Sequence, residues 1–192
     1  MREKHERNNP SAEREGEQRS MQSYDHDHEG EINIAWEEFD SLCRTLAMMA
    51  SAYDPQVIVG IAKGGVLPAT VIASLLRREF YPIRISRRHN DQVVRNTPKI
   101  LQGPPPAIAG LRVLLVDDIV ASGETMDLAR KACLAQGASQ VRTASLCSHS
   151  FGRHPDYVAL VSDALIVFPW DREILERGRF VPHPEYQESR GT

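Results

Sequence analysis

The chain has 192 residues, 41% of them hydrophobic and 26% charged, which suits one domain with a sizeable core and leaves little room for a second. No apolar run approaches the ~20 residues of a membrane-spanning helix, and the opening Met1-Arg2-Glu3-Lys4-His5-Glu6-Arg7 has no apolar stretch behind it, so neither an integral membrane protein nor a secretory signal is expected. Cys43, Cys133 and Cys147 show no CxxC spacing, which predicts a reducing cytoplasm and excludes a disulfide scaffold or structural zinc site.

Residues 1–30 carry five Lys/Arg against eight Asp/Glu, which equals the whole net charge of −3. The rest of the chain is therefore neutral, with no broad basic face for duplex nucleic acid. Met1, Ala12, Met21 and Tyr24 are the only hydrophobic residues in that segment, too few to offset the entropy of ordering it. It reads as a charged, disordered tail ahead of a single domain over 31–192. Asp25-His26-Asp27-His28 reads as a solvated polar run, because a flexible tail pre-forms no coordination shell.

From Trp36 to Ala50, apolar residues recur at three and four, the spacing of an amphipathic helix, and Asp54-Pro55 closes it. Val57 to Ala62 is a short continuous apolar run, a buried strand, and Lys63-Gly64-Gly65 follows as a turn. Leu67, Val71, Ile72, Leu75 and Leu76 mark a second helix running to about Phe80, and Tyr81 to Ser86 a second strand. Residues 87–110 are polar, then broken by Gly103-Pro104-Pro105-Pro106. They predict a long irregular stretch, either a lid or binding loop or a plain surface excursion. Leu111 to Val116 is a buried strand ending in Asp117-Asp118. Met126, Ala129, Cys133 and Leu134 share a helix face that stops at Gly137. Val141–Leu146 and Ala164–Phe168 complete the strands. Alternating strands and helices predict an α/β class with a mainly parallel twisted sheet flanked by helices.

Ligands in such sheets sit beyond the carboxyl ends of the strands, and two of these ends carry unusual chemistry. In Lys63-Gly64-Gly65 the glycines let backbone N–H groups approach an anion while Lys63 adds charge. In Val116-Asp117-Asp118-Ile119-Val120-Ala121-Ser122-Gly123-Glu124-Thr125, paired acids suit sugar hydroxyls or a magnesium-bound ligand. The loop behind them opens a helix, a ready phosphate cradle. Helix capping accounts for one aspartate but not for both, nor for the loop.

VLLVDDIVASGET resembles the phosphoribosyl-pyrophosphate motif of the type I phosphoribosyltransferases, and the resemblance extends from about Trp36 to Asp171. GIAKGG falls where that family has its pyrophosphate loop, and 87–110 where it has its mobile lid. Pro155-Asp156-Tyr157 and Phe168-Pro169-Trp170-Asp171 resemble the small hood of the xanthine-guanine and hypoxanthine branch. The resemblance implies transfer of a phosphoribosyl group to a nitrogenous base, with a purine foremost. Asp117 and Asp118 would hold the ribose hydroxyls and, through ligand oxygens and water, Mg2+. Ala121, Ser122, Gly123, Glu124 and Thr125 would cradle the 5-phosphate, and Lys63, Gly64 and Gly65 would contact pyrophosphate. It also implies a homo-oligomer, dimer or larger.

The base side departs from that pattern. Where the 6-oxopurine enzymes have an acid, this chain has Ala121; where they have a lysine, it has Ser148-His149; where an aromatic side chain stacks on the purine, it has Leu165. His149, Leu165, Ile166 and Asp171 are the residues expected at the base pocket. The rewritten base side leaves a second class open, a non-catalytic regulator that binds phosphoribosyl pyrophosphate or a nucleotide.

Overall fold

The computed structural model describes residues 30–89, 92–93 and 97–186, so the charged segment 1–30, apart from Gly30, lies outside the described residues. In chain order the elements are β1 (Glu31–Asn33), α1 (Trp36–Ser51), β2 (Val57–Ala62), α2 (Val66–Leu76), β3 (Glu79–Ser86), β4 (Arg88–His89), β5 (Gln92–Val93) and β6 (Lys99–Gln102). Then follow β7 (Arg112–Val120), α3 (Glu124–Ala135), β8 (Gln140–Ser148), β9 (Tyr157–Val161), β10 (Leu165–Val167), β11 (Glu173–Glu176) and β12 (Arg179–Pro182).

Side chains alternate across the central strands, and both faces are covered. Val57, Val59 and Ile61 of β2 join one core and Ile58 the other, as Val113 and Leu115 of β7 oppose Leu114 and Val116. Strands buried on both sides read as unbroken apolar runs, which is why these were legible. One core packs α1 through Phe39, Cys43 and Leu46, and α2 through Ala69 and Ile72. The other packs α3 through Met126, Ala129 and Cys133. Six strands make the sheet in the order β6-β3-β2-β7-β8-β9, all parallel except β6, which runs antiparallel to β3. The chain steps outward from β2 to β3, then restarts at β7 beside β2 and steps the other way. The switch point therefore lies between β2 and β7, the two strands that carry the motifs. No helix among the described residues is long and apolar enough to cross a membrane.

Several boundaries move. The second helix ends at Leu76 rather than near Phe80, because Arg77 turns left-handed at φ 55° and bonds back to the Ala73 and Ser74 carbonyls. β3 therefore starts at Glu79. β7 does not stop before the aspartates but runs on to Val120, since β8 offers partners opposite: Asp117 to Ser145, Ile119 to Cys147, Val120 to Ser148. The stretch 87–110 is not wholly irregular. It holds the β4–β5 hairpin, β6 on the sheet edge, and a 3-10 turn at Pro106–Ile108 that buries Ile108. Residues 155–157 lead into β9 of the main sheet, not into the hood. The hood is β10, paired in parallel with β1. The hairpin β11–β12, with Arg177 and Gly178 both at positive φ in its turn, was not read from the sequence.

Candidate active site

β2 ends at Ala62, the Ala62–Lys63 peptide is cis, and Lys63-Gly64-Gly65 turns the chain into α2. Bonds from Val66 N–H to the Lys63 carbonyl and from Leu67 N–H to the Gly64 carbonyl, both 3.2 Å, close the turn. Its glycines lie against the acid pair of β7. A Cβ on Gly64 would sit 1.7 Å from Asp118 Oδ2, and one on Gly65 2.7 Å from Asp117 Oδ1. Any side chain at these positions would collide with the carboxylates. Two motifs more than fifty residues apart in sequence thus form one structure at the switch point.

The carboxylates are fixed by their own backbone. Asp117 Oδ1 accepts the Asp118 N–H at 3.1 Å, and Asp118 Oδ1 accepts the Ile119 N–H at 2.8 Å. Ser145 Oγ donates to the Cys147 carbonyl at 2.6 Å and lies 3.1 Å from the Asp118 carbonyl. Burial first, and the Asp118 charge second, push the Asp117 carboxyl well above the usual carboxylate range. Burial also raises Asp118, opposed by the hydrogen bonds that it accepts. A buried and a half-buried acid so close favour a cation or sugar hydroxyls between them.

Beyond Val120 the chain forms the second part of the site. Gly123 takes φ 86°, which a glycine adopts without penalty, and its carbonyl accepts the Asp127 N–H at 2.9 Å as α3 begins. The amides of that first turn have no preceding turn to bond to, and only a long 3.5 Å contact joins the Glu124 N–H to Ser122 Oγ, so Ala121–Thr125 has the form of a cradle that can take an anion. A second loop seals it: a Cβ on Gly152 would lie 1.7 Å from the Ala121 carbonyl oxygen, and one on Gly123 2.9 Å from Arg153 Cβ. Glu124 and Asp127 place two acids in the first turn. Each is met by an arginine from another loop, Glu124 by Arg87 and Asp127 by Arg153.

The residues expected at the base pocket are placed mainly by side-chain contacts. His149 follows β8, and its N–H donates to the Val120 carbonyl at 3.0 Å. Its ring is 6% exposed, not on the surface, and stacks on Phe151 with centroids 5.2 Å apart. Nδ1 lies 2.8 Å from the Ser162 carbonyl; a carbonyl only accepts, so Nδ1 carries the hydrogen. Leu165 is half-buried where β10 meets β1. Ile166, expected at the base pocket, instead puts its side chain into the core, 4% exposed, because the alternation of β10 turns it inward. Asp171 is half-buried, its N–H on the Phe168 carbonyl at 3.0 Å. Phe168 and Trp170 stack at 4.7 Å, and Trp170 meets Phe39 edge-on at 5.3 Å. These aromatics fasten the hood to α1 and are turned toward the core.

The structure thus brings Gly64 and Gly65 onto Asp117 and Asp118 and joins the cradle to the same strand end, while Ile166 is taken away. It adds Arg87, Phe151, Gly152 and Arg153, which the sequence reading did not single out. For Arg87 a signal existed: it is the first residue after a strand that ends beside the glycine turn. For Gly152, only the contact across to Ala121 reveals its role.

The phosphoribosyl transferase domain family matches residues 35–177. A xanthine-guanine phosphoribosyltransferase of Ruegeria sp. is 31% identical over 168 residues, covering 75% of this chain and 87% of that protein. One from Cereibacter sphaeroides is 27% identical, covering 75% and 89%. Among solved structures, a purine phosphoribosyltransferase from Pyrococcus horikoshii superposes with a TM-score of 0.67 at 25% identity, over 77% of this chain and 98% of that one.

Proposed function

The chain belongs to the phosphoribosyl transferase domain family, and we propose that it transfers the phosphoribosyl group of phosphoribosyl pyrophosphate to a purine base, releasing a nucleoside monophosphate and pyrophosphate. One observation carries this reading: at the β2–β7 switch point, glycines of one loop lie against paired carboxylates that lead into an anion cradle. A sugar with a phosphate at one end and pyrophosphate at the other needs these three features side by side. Asp117 and Asp118 hold the ribose hydroxyls and favour the positive charge that develops at the anomeric carbon. Lys63, Gly64 and Gly65 take the pyrophosphate, and amides of Ala121–Thr125 take the 5-phosphate. Sealing by the Gly152 loop limits water, whose attack on the activated sugar would waste it.

Magnesium belongs to the proposal. Asp117 and Asp118 supply hard oxygen donors, and among the described residues no group of three or more His, Cys, Asp or Glu could hold a metal. Such a donor set suits an ion shared with substrate oxygens and water. When bound, magnesium offsets charge on the departing pyrophosphate. On the base side, Nδ1 of His149 is held by the Ser162 carbonyl, and His149 is the residue assigned to the acceptor's proton. We further propose that the protein is cytoplasmic and a dimer or larger, the latter checked by light scattering.

The test is pyrophosphate release from phosphoribosyl pyrophosphate, with magnesium, across a panel of nucleobases. Release with one or more purines supports the transferase. Binding of phosphoribosyl pyrophosphate without release for any base would favour the non-catalytic regulator, for which the absence of an acid at Ala121 and of a lysine at Ser148-His149 is the motive.

A further inference from the structure

We propose that Arg87 is a phosphate-binding residue of the cradle, and that the Glu124 carboxylate occupies its guanidinium until a phosphate monoester displaces it. This rests on the phosphoribosyl reading of the cradle and extends it to a residue outside the motif. Arg87 leaves the carboxyl end of β3, whereas Glu124 is the first residue of α3, which follows β7. β3 and β7 lie on opposite sides of β2. The Arg87 Nη2–Glu124 Oε2 ion pair therefore reaches from one flank of the switch point to the other.

The two partners are unequally buried, and that decides which one can leave. The Arg87 side chain is 12% exposed and that of Glu124 56%. A carboxylate that is half in water regains hydration when it swings out, at small cost. A guanidinium mostly shielded from water regains little by moving and keeps an anion beside it. Arginine also matches phosphate oxygens in bidentate fashion, so a phosphate monoester is a fitting replacement.

Charge at the cradle gives the exchange its purpose. The amino end of α3 favours an anion, but Glu124 and Asp127 already stand there. A phosphate dianion entering beside both would meet repulsion. Asp127 is paired with Arg153, which leaves Glu124 as the group to be moved. Its departure removes a like charge and opens one face of the Arg87 guanidinium to the phosphate in one step. The site is thus electrostatically closed when empty and selects ligands that carry a phosphate.

Calorimetric titration of the full chain with ribose 5-phosphate tests the exchange, because this probe carries the sugar and monoester without pyrophosphate. Glu124→Gln is expected to bind a few-fold tighter than wild type, and Arg87→Ala at least about tenfold weaker. Arg87→Lys, which keeps the charge but not the fork, falls between and carries the test if Arg87→Ala does not fold. An ion pair that serves only to hold the loop would weaken binding when either end is removed. Opposite signs at its two ends are the signature of competition. Weaker or unchanged binding in Glu124→Gln, or unchanged binding in the Arg87 variants, overturns the proposal. A wild-type protein that binds no ribose 5-phosphate would overturn the phosphoribosyl reading along with it.

Discussion

The glycine–aspartate cluster and the hood are built differently. At the cluster, Gly64, Gly65 and Gly152 each bring one chain segment to within a Cβ of another. At the hood, β10 and β1 share a short ladder, and Phe168, Trp170, Trp36 and Phe39 pack ring against ring. The first arrangement admits one residue type at each contact. The second admits any set of side chains that fills the space. Under the proposed function, the sugar and phosphates are met where sequence has no freedom and the base where it has much, which would account for an intact motif beside a rewritten pocket.

The sharpest way to break this comparison is to put one methyl group into the cluster. Gly64→Ala directs a Cβ at the Asp118 carboxylate, a side chain that can rotate away. Stability should largely survive, while transfer falls by about 100-fold as Asp118 is displaced. Gly152→Ala meets a backbone oxygen instead, which cannot step aside, so it should destabilise by about 1–3 kcal/mol. Steady-state kinetics and thermal melts on both variants check this; equal kinetics for Gly64→Ala and wild type would mean that the contact does not serve the reaction.

Residues 149–156 connect β8 to β9 and include the Gly152 contact, and Asp156 anchors their far end. Burial pushes its carboxyl up, but the Thr143 N–H, Arg142 and the Thr143 hydroxyl outweigh that and hold it below the usual range. A depressed pKa contributes stability above the unfolded value and loses it as pH falls through the folded one. Asp156→Asn should therefore cost about 1–3 kcal/mol near neutral pH, and the gap to wild type should close in acid. Melting curves across pH read this directly; a gap that persists unchanged in acid would show that the charge is not what matters.

Smaller effects belong to the base side. His149→Ala should lower turnover while leaving affinity for phosphoribosyl pyrophosphate unchanged, as expected of a residue proposed to act on the base alone. Loss of both together would join the two regions into one. The smallest effect is expected from deleting residues 1–30: with so few apolar residues they offer little to dock, and turnover should stay within a few-fold. A marked loss of activity would show that the segment covers part of the site.

What the sequence revealed follows the same division. β2 and β7 were visible because burial on both faces leaves no polar break, and the acid pair because two charges after an apolar run have no packing role. The extension of β7 through Asp117–Val120 was hidden, since it depends on partners offered by β8. The turn at Arg77 was hidden because arginine gives no signal of a left-handed cap. Ile166 was misplaced by one step of strand alternation, which a run of apolar residues such as Ala164–Phe168 does not specify. The contact of Gly64 with Asp118 lay outside any local pattern, although each half was singled out separately.

The most direct test of the central claim is calorimetric titration of phosphoribosyl pyrophosphate, with magnesium, into wild type and Asp117→Asn/Asp118→Asn. Asparagine keeps the shape of aspartate, so cooperative thermal unfolding should persist in the double variant. If the paired carboxylates against Gly64 and Gly65 bind the ribose, wild type gives a saturable heat of binding and the double variant gives none. Equal affinity in the two proteins would contradict the account.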